Sequence, residues 1–221
     1  MERPCAVTAC TGHATRWGRH CSNHAAHARR HGHPRQRAVT KTELKPYEAL
    51  INARIERNRD NPVWPGLEAN WKALEAQAEQ TLATYQRGAP SVRYVVSAAR
   101  EVVRLGHDVE PRQIIVTALA MYLLQDANER RFLSDEAFAF QLARRVRGLT
   151  ATNAGTSYDH VSGRVKRVYR ELPPRVARTF SGWVIAVLVG TGILIARLER
   201  RQREEKQQRM AAMAAALETL K

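Results

Sequence analysis

The stretch Cys5-Ala-Val-Thr-Ala-Cys10, continued by Trp17-Gly-Arg-His-Cys21-Ser-Asn-His24 and Arg29-Arg-His-Gly-His-Pro34, decides how the start of this chain can fold. Residues 5–34 contain all three cysteines and six of the eight histidines of the 221-residue chain. The segment has too few apolar side chains to build a core of its own. A bound metal would therefore supply most of its folding free energy.

The candidate ligands are Cys5, Cys10, Cys21 and His24. A structural zinc site is a closed tetrahedron of thiolates and imidazoles, and the gaps of four residues within the first pair and two within the second suit such a site. Gly12 and Gly18 permit the sharp turns that a short loop needs. No acidic residue lies between Glu2 and Glu43, which favours a structural zinc over a catalytic one that needs a general base.

Two alternatives to this ligand set stay open in the sequence. Five other histidines could replace the fourth ligand: His13, His20, His27, His31 and His33. The spacing from Cys21 favours His24. The cysteines could instead be free or buried without a metal, but so dense a group of thiols and imidazoles is typical of metal sites, and an odd cysteine count disfavours disulfides.

The run Cys-x4-Cys-x10-Cys-x2-His, closed by a basic stretch with Gly32 and Pro34, resembles a small zinc-binding motif of phage and mobile-element proteins. These include some HNH-type homing endonucleases and other DNA-binding proteins. The resemblance covers about residues 3–35 and implies that the three cysteines and His24 bind zinc. The rest of the chain has no HNH core, because Asp159-His160 stands without the asparagine and histidine that would follow.

Charge indicates an anionic partner. The formal net charge is +15 and the pI about 10.6, which favours nucleic acid or an anionic membrane face. Aromatic residues make up only 6% of the chain, which argues against a base-stacking sheet. The predicted phosphate contacts are Arg29, Arg30, Arg35 and Arg37 in an N-terminal arm, and Arg164, Lys166, Arg167 and Arg170 on a helix predicted at about 161–171. The alternative is a basic surface that only solvates the protein.

The rest of the chain predicts an all-α fold, with no alternating strand pattern. The predicted units are a zinc-binding knuckle at 1–34, a basic linker or phosphate-contacting arm at 35–45, of a kind often disordered without nucleic acid, a helical hairpin at 46–88, a compact helical domain at 89–178, and a hydrophobic helix with a polar C-terminal extension at 179–221. Pro46, Pro65, Ser91, Pro111 and Ser134 mark predicted helix starts. Residues 148–157 are predicted to form a polar loop.

Residues 180–196 carry no charge over seventeen positions. That length is the lower limit for a membrane-spanning helix, so the segment is either such a helix or a buried core helix. Arginines on both sides prevent the positive-inside rule from orienting it. The expected location is cytoplasmic, with tethering to the membrane through 180–196 as the alternative. Homo-oligomers could form through the helical hairpin or the C-terminal helix.

No phosphate-binding loop, nucleophile elbow or His-Glu-x-x-His motif occurs. Asp108, Glu110, Asp135 and Asp159 are scattered, so no catalytic residue is assigned. The sequence thus predicts a zinc-containing protein that binds nucleic acid, expected to be DNA, as an accessory or regulatory factor of a phage or mobile element, and not an enzyme. Two alternatives are a degenerate metal-dependent nuclease using Asp159 and His160, and a membrane-tethered interaction protein.

Overall fold

Helices make up most of the chain in the computed structural model, which describes residues 3–151 and 154–219. The elements are α1 (Ser22–His31), α2 (Lys41–Arg57), α3 (Val63–Gln86), α4 (Arg93–Asp108), α5 (Pro111–Ala127), α6 (Asp135–Arg147), β1 (Ala154–Asp159), β2 (Arg164–Tyr169) and α7 (Pro174–Thr219). The predicted all-α class is confirmed, with a Cys/His cluster at the N-terminus. The predicted starts at Pro111 and Ser134 match α5 and α6.

Helix α5 is the centre of the bundle. Eleven consecutive residues, 114–124, are buried, because α2, α3, α6 and α7 pack around it. A helix surrounded on all sides needs apolar residues on all sides, and this one has them. Helices α2 and α3 follow each other as predicted, but α2 packs mainly against α5 and α3 packs mainly against α4. The two helices are therefore parts of the same bundle.

Helix α7 contains the uncharged stretch 180–196 and buries one face of it. Phe180, Val184 and Leu188 are completely buried, whereas Gly182 and Ala186 are exposed. The helix is long and apolar enough to cross a membrane, and 39% of its most apolar window is buried in the protein. Every residue from 200 to 215 is exposed, although Arg200 and Arg203 still form ion pairs with Asp126 of α5.

Helix α2 begins five residues before the predicted start at Pro46. The Thr40 hydroxyl accepts a hydrogen bond from the Glu43 N–H at 3.1 Å, and the Glu43 carboxylate accepts one from the Thr40 N–H at 3.3 Å. This capping box satisfies two backbone donors that a helix start otherwise leaves without partners. The prediction of a linker up to residue 45 missed the Thr-x-x-Glu signal.

The rest of the predicted linker, residues 35–40, is fixed to the bundle. Gln36 is completely buried, and its amide bonds the carbonyls of Arg37 and Arg131 and the Leu133 N–H at 2.8–3.2 Å. The guanidinium of Arg131 also pairs with Glu43 and donates to two linker carbonyls. The structure thus gives the linker's polar groups partners on the bundle.

A β-hairpin replaces the helix predicted at about 161–171 and the loop predicted up to residue 157. Strands β1 and β2 pair antiparallel, with Asp159 opposite Arg164. In the turn, the Gly163 N–H donates to the Asp159 carbonyl at 2.8 Å, and Gly163 has a φ of 64°. Glycine adopts this left-handed conformation without steric cost, and a glycine-containing loop of this length is typical of hairpins. Gly163 in the turn, with the β-favouring residues Tyr158 and Val165 on either side of it, is a hairpin pattern that the sequence contains.

Candidate metal centre

Two short structures present the four candidate ligands. Cys5 and Cys10 lie on a looped segment that the Pro4–His13 bridge closes. A tight turn lies between them, with the Cys10 N–H donating to the Val7 carbonyl at 3.1 Å and Ala9 at a φ of 64°. Cys21 is the N-cap residue of α1, and His24 lies in its first turn. The side chains at the N-cap and three positions later lie on the same side of a helix start, so both point towards the loop.

The ligand atoms have the separations that a tetrahedral metal site requires. All four lie within 4.8 Å of one another. Individual separations are 3.9 Å between the Cys10 and Cys21 sulfurs, and 3.3 and 3.6 Å from the His24 Nδ1 to the sulfurs of Cys21 and Cys5. Zinc bonds of normal length at tetrahedral angles place two sulfurs about 3.8 Å apart and a sulfur and a nitrogen about 3.6 Å apart. The group could therefore hold a metal ion.

The backbone around the cluster stabilises thiolates. The Cys21 N–H donates to the Cys5 sulfur at 3.3 Å, and the Gly12 N–H donates to the Cys10 sulfur at 3.4 Å. Burial raises the pKa of the Cys5 thiol, but hydrogen bonds from the N–H groups of Cys21 and Val7 and from His24 outweigh it and lower that pKa to about 6. Such outer hydrogen bonds orient and charge-stabilise metal ligands.

Cys10 shows the opposite balance. The hydrogen bond from Gly12 lowers the pKa of the Cys10 thiol. Burial and the neighbouring sulfurs of Cys5 and Cys21 together raise it by more, so the net pKa lies above its ordinary value. Three sulfurs this close repel one another when all are ionised. A divalent cation removes that repulsion and deprotonates all three thiols, which is the chemistry expected of this donor set.

The five alternative histidines lie outside this cluster. Three of them make other contacts: a His27 ring nitrogen lies 2.7 Å from the Gln36 carbonyl, His31 lies 3.1 Å from the Gln141 amide, and His33 accepts from the Arg35 N–H at 3.2 Å. His27 and His31 thus help to fasten α1 to the bundle. The structure brings His24 together with the three cysteines, as its spacing from Cys21 predicted.

Gly32 sets how closely α1 approaches the bundle. It ends α1 with a φ of 78°, and a Cβ at this position would lie 2.5 Å from the Glu136 carbonyl oxygen at the start of α6. Both the left-handed backbone and the missing side chain are therefore required. The glycine that ends the basic stretch places the metal module against α6.

The predicted phosphate-contacting residues divide into three groups. Arg29, Arg35 and Arg37 are exposed, and none pairs with an acid in the part of the chain that the structure describes. Arg30 and Arg170 are also exposed, and Arg30 forms an ion pair with Glu171 at 2.9 Å. Arg164 is exposed at the start of β2, whereas the side chains of Lys166 and Arg167 lie outside the described atoms.

One cavity connects the two predicted basic stretches. Arg30 from α1 and Arg170 from the chain after β2 line the same cavity, together with Arg144 and Arg147 from α6 and Lys41 from α2. Arg30 and Arg170 are thus brought to one cavity although they are far apart in the chain. The sequence does not show that Lys41, Arg144 and Arg147 share this cavity with them, because a basic run on a helix gives no information about its tertiary partners.

Trp17 is a further residue to which the sequence patterns assign no role. Its side chain is 88% exposed at the tip of the loop before Cys21, and the Arg16 guanidinium lies 4.8 Å from the ring centroid. An exposed aromatic ring beside a cation offers a stacking surface for a nucleic-acid base. The aromatic content of the whole chain is an average, so it does not show a single exposed ring of this kind.

Asp159, the acid of the nuclease hypothesis, belongs to the hairpin turn. Its carboxylate accepts hydrogen bonds from the Val161 N–H at 3.1 Å and the Ser162 hydroxyl at 2.8 Å. His160 stacks edge-on against Tyr158 at 5.0 Å between centroids. The turn accounts for both residues, and the Cys/His cluster is the one metal-binding group found in the described residues.

No family model, curated protein or solved structure matches this chain.

Proposed function

We propose that residues 3–34 form a structural zinc module and that the protein uses it to present a basic surface to nucleic acid, expected to be DNA. Its role would be that of an accessory or regulatory factor of a phage or mobile element, in line with the motif that this segment resembles. The carrying observation is that Arg29, Arg35 and Arg37, which follow the Cys/His cluster in the chain, are exposed and form no ion pair in the described residues.

Zinc is the metal that the donor set favours. Three thiolates and one imidazole form a closed and soft tetrahedral set, which suits zinc better than magnesium or calcium. Metal analysis of the purified protein should find one zinc per chain. His24→Gln should lose the metal, whereas His20→Gln, a matched change of a histidine outside the cluster, should keep it. Full zinc content in both variants would refute the ligand set.

Nucleic-acid binding would be mainly electrostatic. The guanidinium groups of arginine bind phosphate oxygens, and each contact releases condensed counterions from the DNA. For duplex DNA, a plot of log affinity against log salt concentration therefore has a slope of about −0.9 per contact. The formal charge of +15 supports such a term. Phosphate contacts carry no direct sequence information, so the removal of these arginines should weaken binding to all sequences alike.

The decisive experiment compares two charge variants on one duplex over a range of salt concentrations. One replaces Arg29, Arg35 and Arg37 with glutamine, and the other replaces the exposed Arg57, Arg87 and Arg93. Both variants remove three charges, so an effect of net charge alone would be equal. The first variant should reduce the slope by about 0.9 for each arginine that binds a phosphate in the native protein, and the second should not change it. Equal slopes, or no binding by the native protein at low salt, would refute the proposal.

Contact with an anionic membrane is a second candidate, and one observation favours it. The exposed face of α7 carries Gly182, Ala186, Gly190, Ile193 and Leu194, without a charge. Crossing a membrane would withdraw Phe180, Val184 and Leu188 from the core, so tethering would need the bundle to open. Carbonate extraction of cell membranes tests tethering. Co-sedimentation with anionic vesicles, abolished in Leu194→Asp, tests surface contact.

Self-association through the C-terminal helix stays a proposal. Residues 204–215 follow the last ion pair to the bundle and are all exposed, and Met210 and Met213 are each more than 60% exposed. An isolated helix of this length is marginal in water, which favours a partner for it. Sedimentation equilibrium of the full chain and of Met213→Glu would test the idea.

A further inference from the structure

The cavity between α1, α6 and the end of β2 has a cationic lining over an apolar floor. Its volume is 140 Å³. Phe140, Ala143, Leu172 and Ala177 contribute the apolar part of the lining. The charged part consists of Arg30, Lys41, Arg144, Arg145, Arg147 and Arg170, against one acid, Glu171. Arg30 and Arg144 share the single carboxylate of Glu171, and Arg147 pairs with Glu101 outside the lining, so the lining keeps an excess of positive charge.

The helix dipole explains only part of this charge. Arg144, Arg145 and Arg147 lie in the last turn of α6, where the dipole favours cations. Arg30, Lys41 and Arg170 come from three other segments of the chain and bring further positive charge to the same place. The nearby His31 responds to this field: burial and then the charges of Arg144, His27 and Arg30 lower its pKa to about 4.

Arg147 adds an independent observation. Its side chain is 9% exposed, its Nε donates to Glu101 at 2.8 Å, and its Nη1 donates to the Arg170 carbonyl at 2.9 Å. Its Nη2 is buried and has no hydrogen-bond partner among the described residues. The contacts with Glu101 and the Arg170 carbonyl hold the guanidinium in one position, so Arg147 adds a fixed positive charge to the cavity wall.

We infer that this cavity binds a phosphate monoester group. A terminal phosphate carries close to two negative charges at neutral pH and three acceptor oxygens, which matches the charge excess better than a singly charged backbone diester. A terminal group can enter a concave site, whereas duplex backbone phosphates lie on a convex surface. The phosphate belongs either to a free nucleotide or to a nucleic-acid 5′ end; the second source rests on the proposed function.

Calorimetric titration with inorganic phosphate, a nucleoside 5′-monophosphate and the unphosphorylated nucleoside tests the inference. The native protein should bind the first two and not the third. Arg144→Gln and Arg170→Gln should each weaken binding about tenfold, as the removal of one charge-assisted hydrogen bond does. Arg112→Gln is the matched control, because that arginine pairs with Glu56 outside the cavity. No binding of either phosphate, or equal weakening in all three variants, would overturn the inference.

A second arm separates the two sources and the two proposals. Affinity is measured for one single-stranded oligonucleotide with a 5′-phosphate and with a 5′-hydroxyl. A preference for the phosphate that disappears in Arg170→Gln supports the nucleic-acid end. Equal affinities, with free nucleotide still bound, support the free ligand. If duplex DNA binds with a steep salt dependence while neither phosphate probe binds, the inference fails and the proposed function stands. If the phosphates bind and DNA does not, the reverse holds.

Discussion

Residues 3–34 and the helical bundle after them differ in how much apolar surface they bury. The N-terminal module buries two such side chains, Cys5 and Val7, and none on α1, whereas the core that starts at Val39 contains 33 buried hydrophobic residues. Burial of apolar surface at roughly 25 cal/mol per Å² stabilises the bundle, but it cannot stabilise the module. The two regions therefore depend on different chemistry: hydrophobic packing stabilises the second, and under the proposed function metal ligation stabilises the first.

The interface between the two regions is polar and specific. Gln36 and Gln141 are completely buried, and Gln141 connects His31 to the Val39 N–H at 3.1 and 3.0 Å. Buried polar groups of this kind hold one geometry only when every member finds a partner. The module is thus placed on the bundle by hydrogen bonds and by Gly32, and a change in either region need not unfold the other.

Metal removal should give the largest difference between the two regions. Structural zinc contributes on the order of 10–16 kcal/mol to the folding of small zinc domains. With a chelator, residues 3–34 should lose their amide protection in hydrogen-exchange mass spectrometry, while α2–α7 keep theirs. His24→Gln should reproduce this pattern without chelator, and His20→Gln should not. Protection of residues 3–34 that survives complete metal removal would contradict the comparison.

A cavity in the bundle should produce the converse effect. Leu188 is completely buried on α7, and Leu194 on the same helix is 56% exposed. Leu188→Ala should destabilise the protein by about 2–5 kcal/mol, whereas Leu194→Ala should change stability by less than about 0.5 kcal/mol. Urea unfolding followed by circular dichroism measures both values, and the zinc content of both variants should stay unchanged. Similar destabilisation by the two substitutions would show that α7 does not pack as described.

Gly32→Ala should loosen the interface between the regions. Gly88→Ala is the matched control, because Gly88 also has a positive φ, of 87°, but a Cβ there would meet nothing within 4 Å. A left-handed alanine costs about 1–2 kcal/mol, which the control should show alone. Gly32→Ala should cost more, because its Cβ meets the Glu136 backbone, and exchange should rise in residues 27–36. Equal costs for the two variants would mean that α1 does not lie against α6.

Acid should weaken the same interface by a smaller amount. The pKa of His31 is lowered to about 4 by burial first and by nearby cations second, so the folded protein disfavours its charged form. Its contribution to stability is complete above the unfolded pKa of about 6.5 and is lost as the pH falls from there towards 4. The urea concentration at the unfolding midpoint should decrease when the pH is lowered from 7 to 5. The decrease should be smaller in His31→Gln. The exposed His107→Gln is the control; the same pH dependence in both variants would exclude His31.

Local patterns allowed most of the helices and the Cys/His cluster to be predicted. Cys21 and His24 lie within one turn of chain, and Pro111 and Ser134 begin helices through contacts with their own neighbours. The hairpin was missed, because the cationic run after Gly163 was interpreted as a helix face although a left-handed glycine turn precedes it. The start of α2 was also missed, because the capping-box pattern of Thr40 and Glu43 was overlooked.

The sequence by itself determined the all-α class, the Cys/His cluster and the excess of positive charge, because composition and short-range spacing fix these. Only the tertiary structure decided that α5 is the central helix and that α7 buries one face, since burial depends on which helices pack around a segment. The same holds for the ordered linker and for the cavity shared by Arg30, Arg144 and Arg170. Residues far apart in the chain meet there because the packing of helices brings them together, and no local pattern encodes that distance.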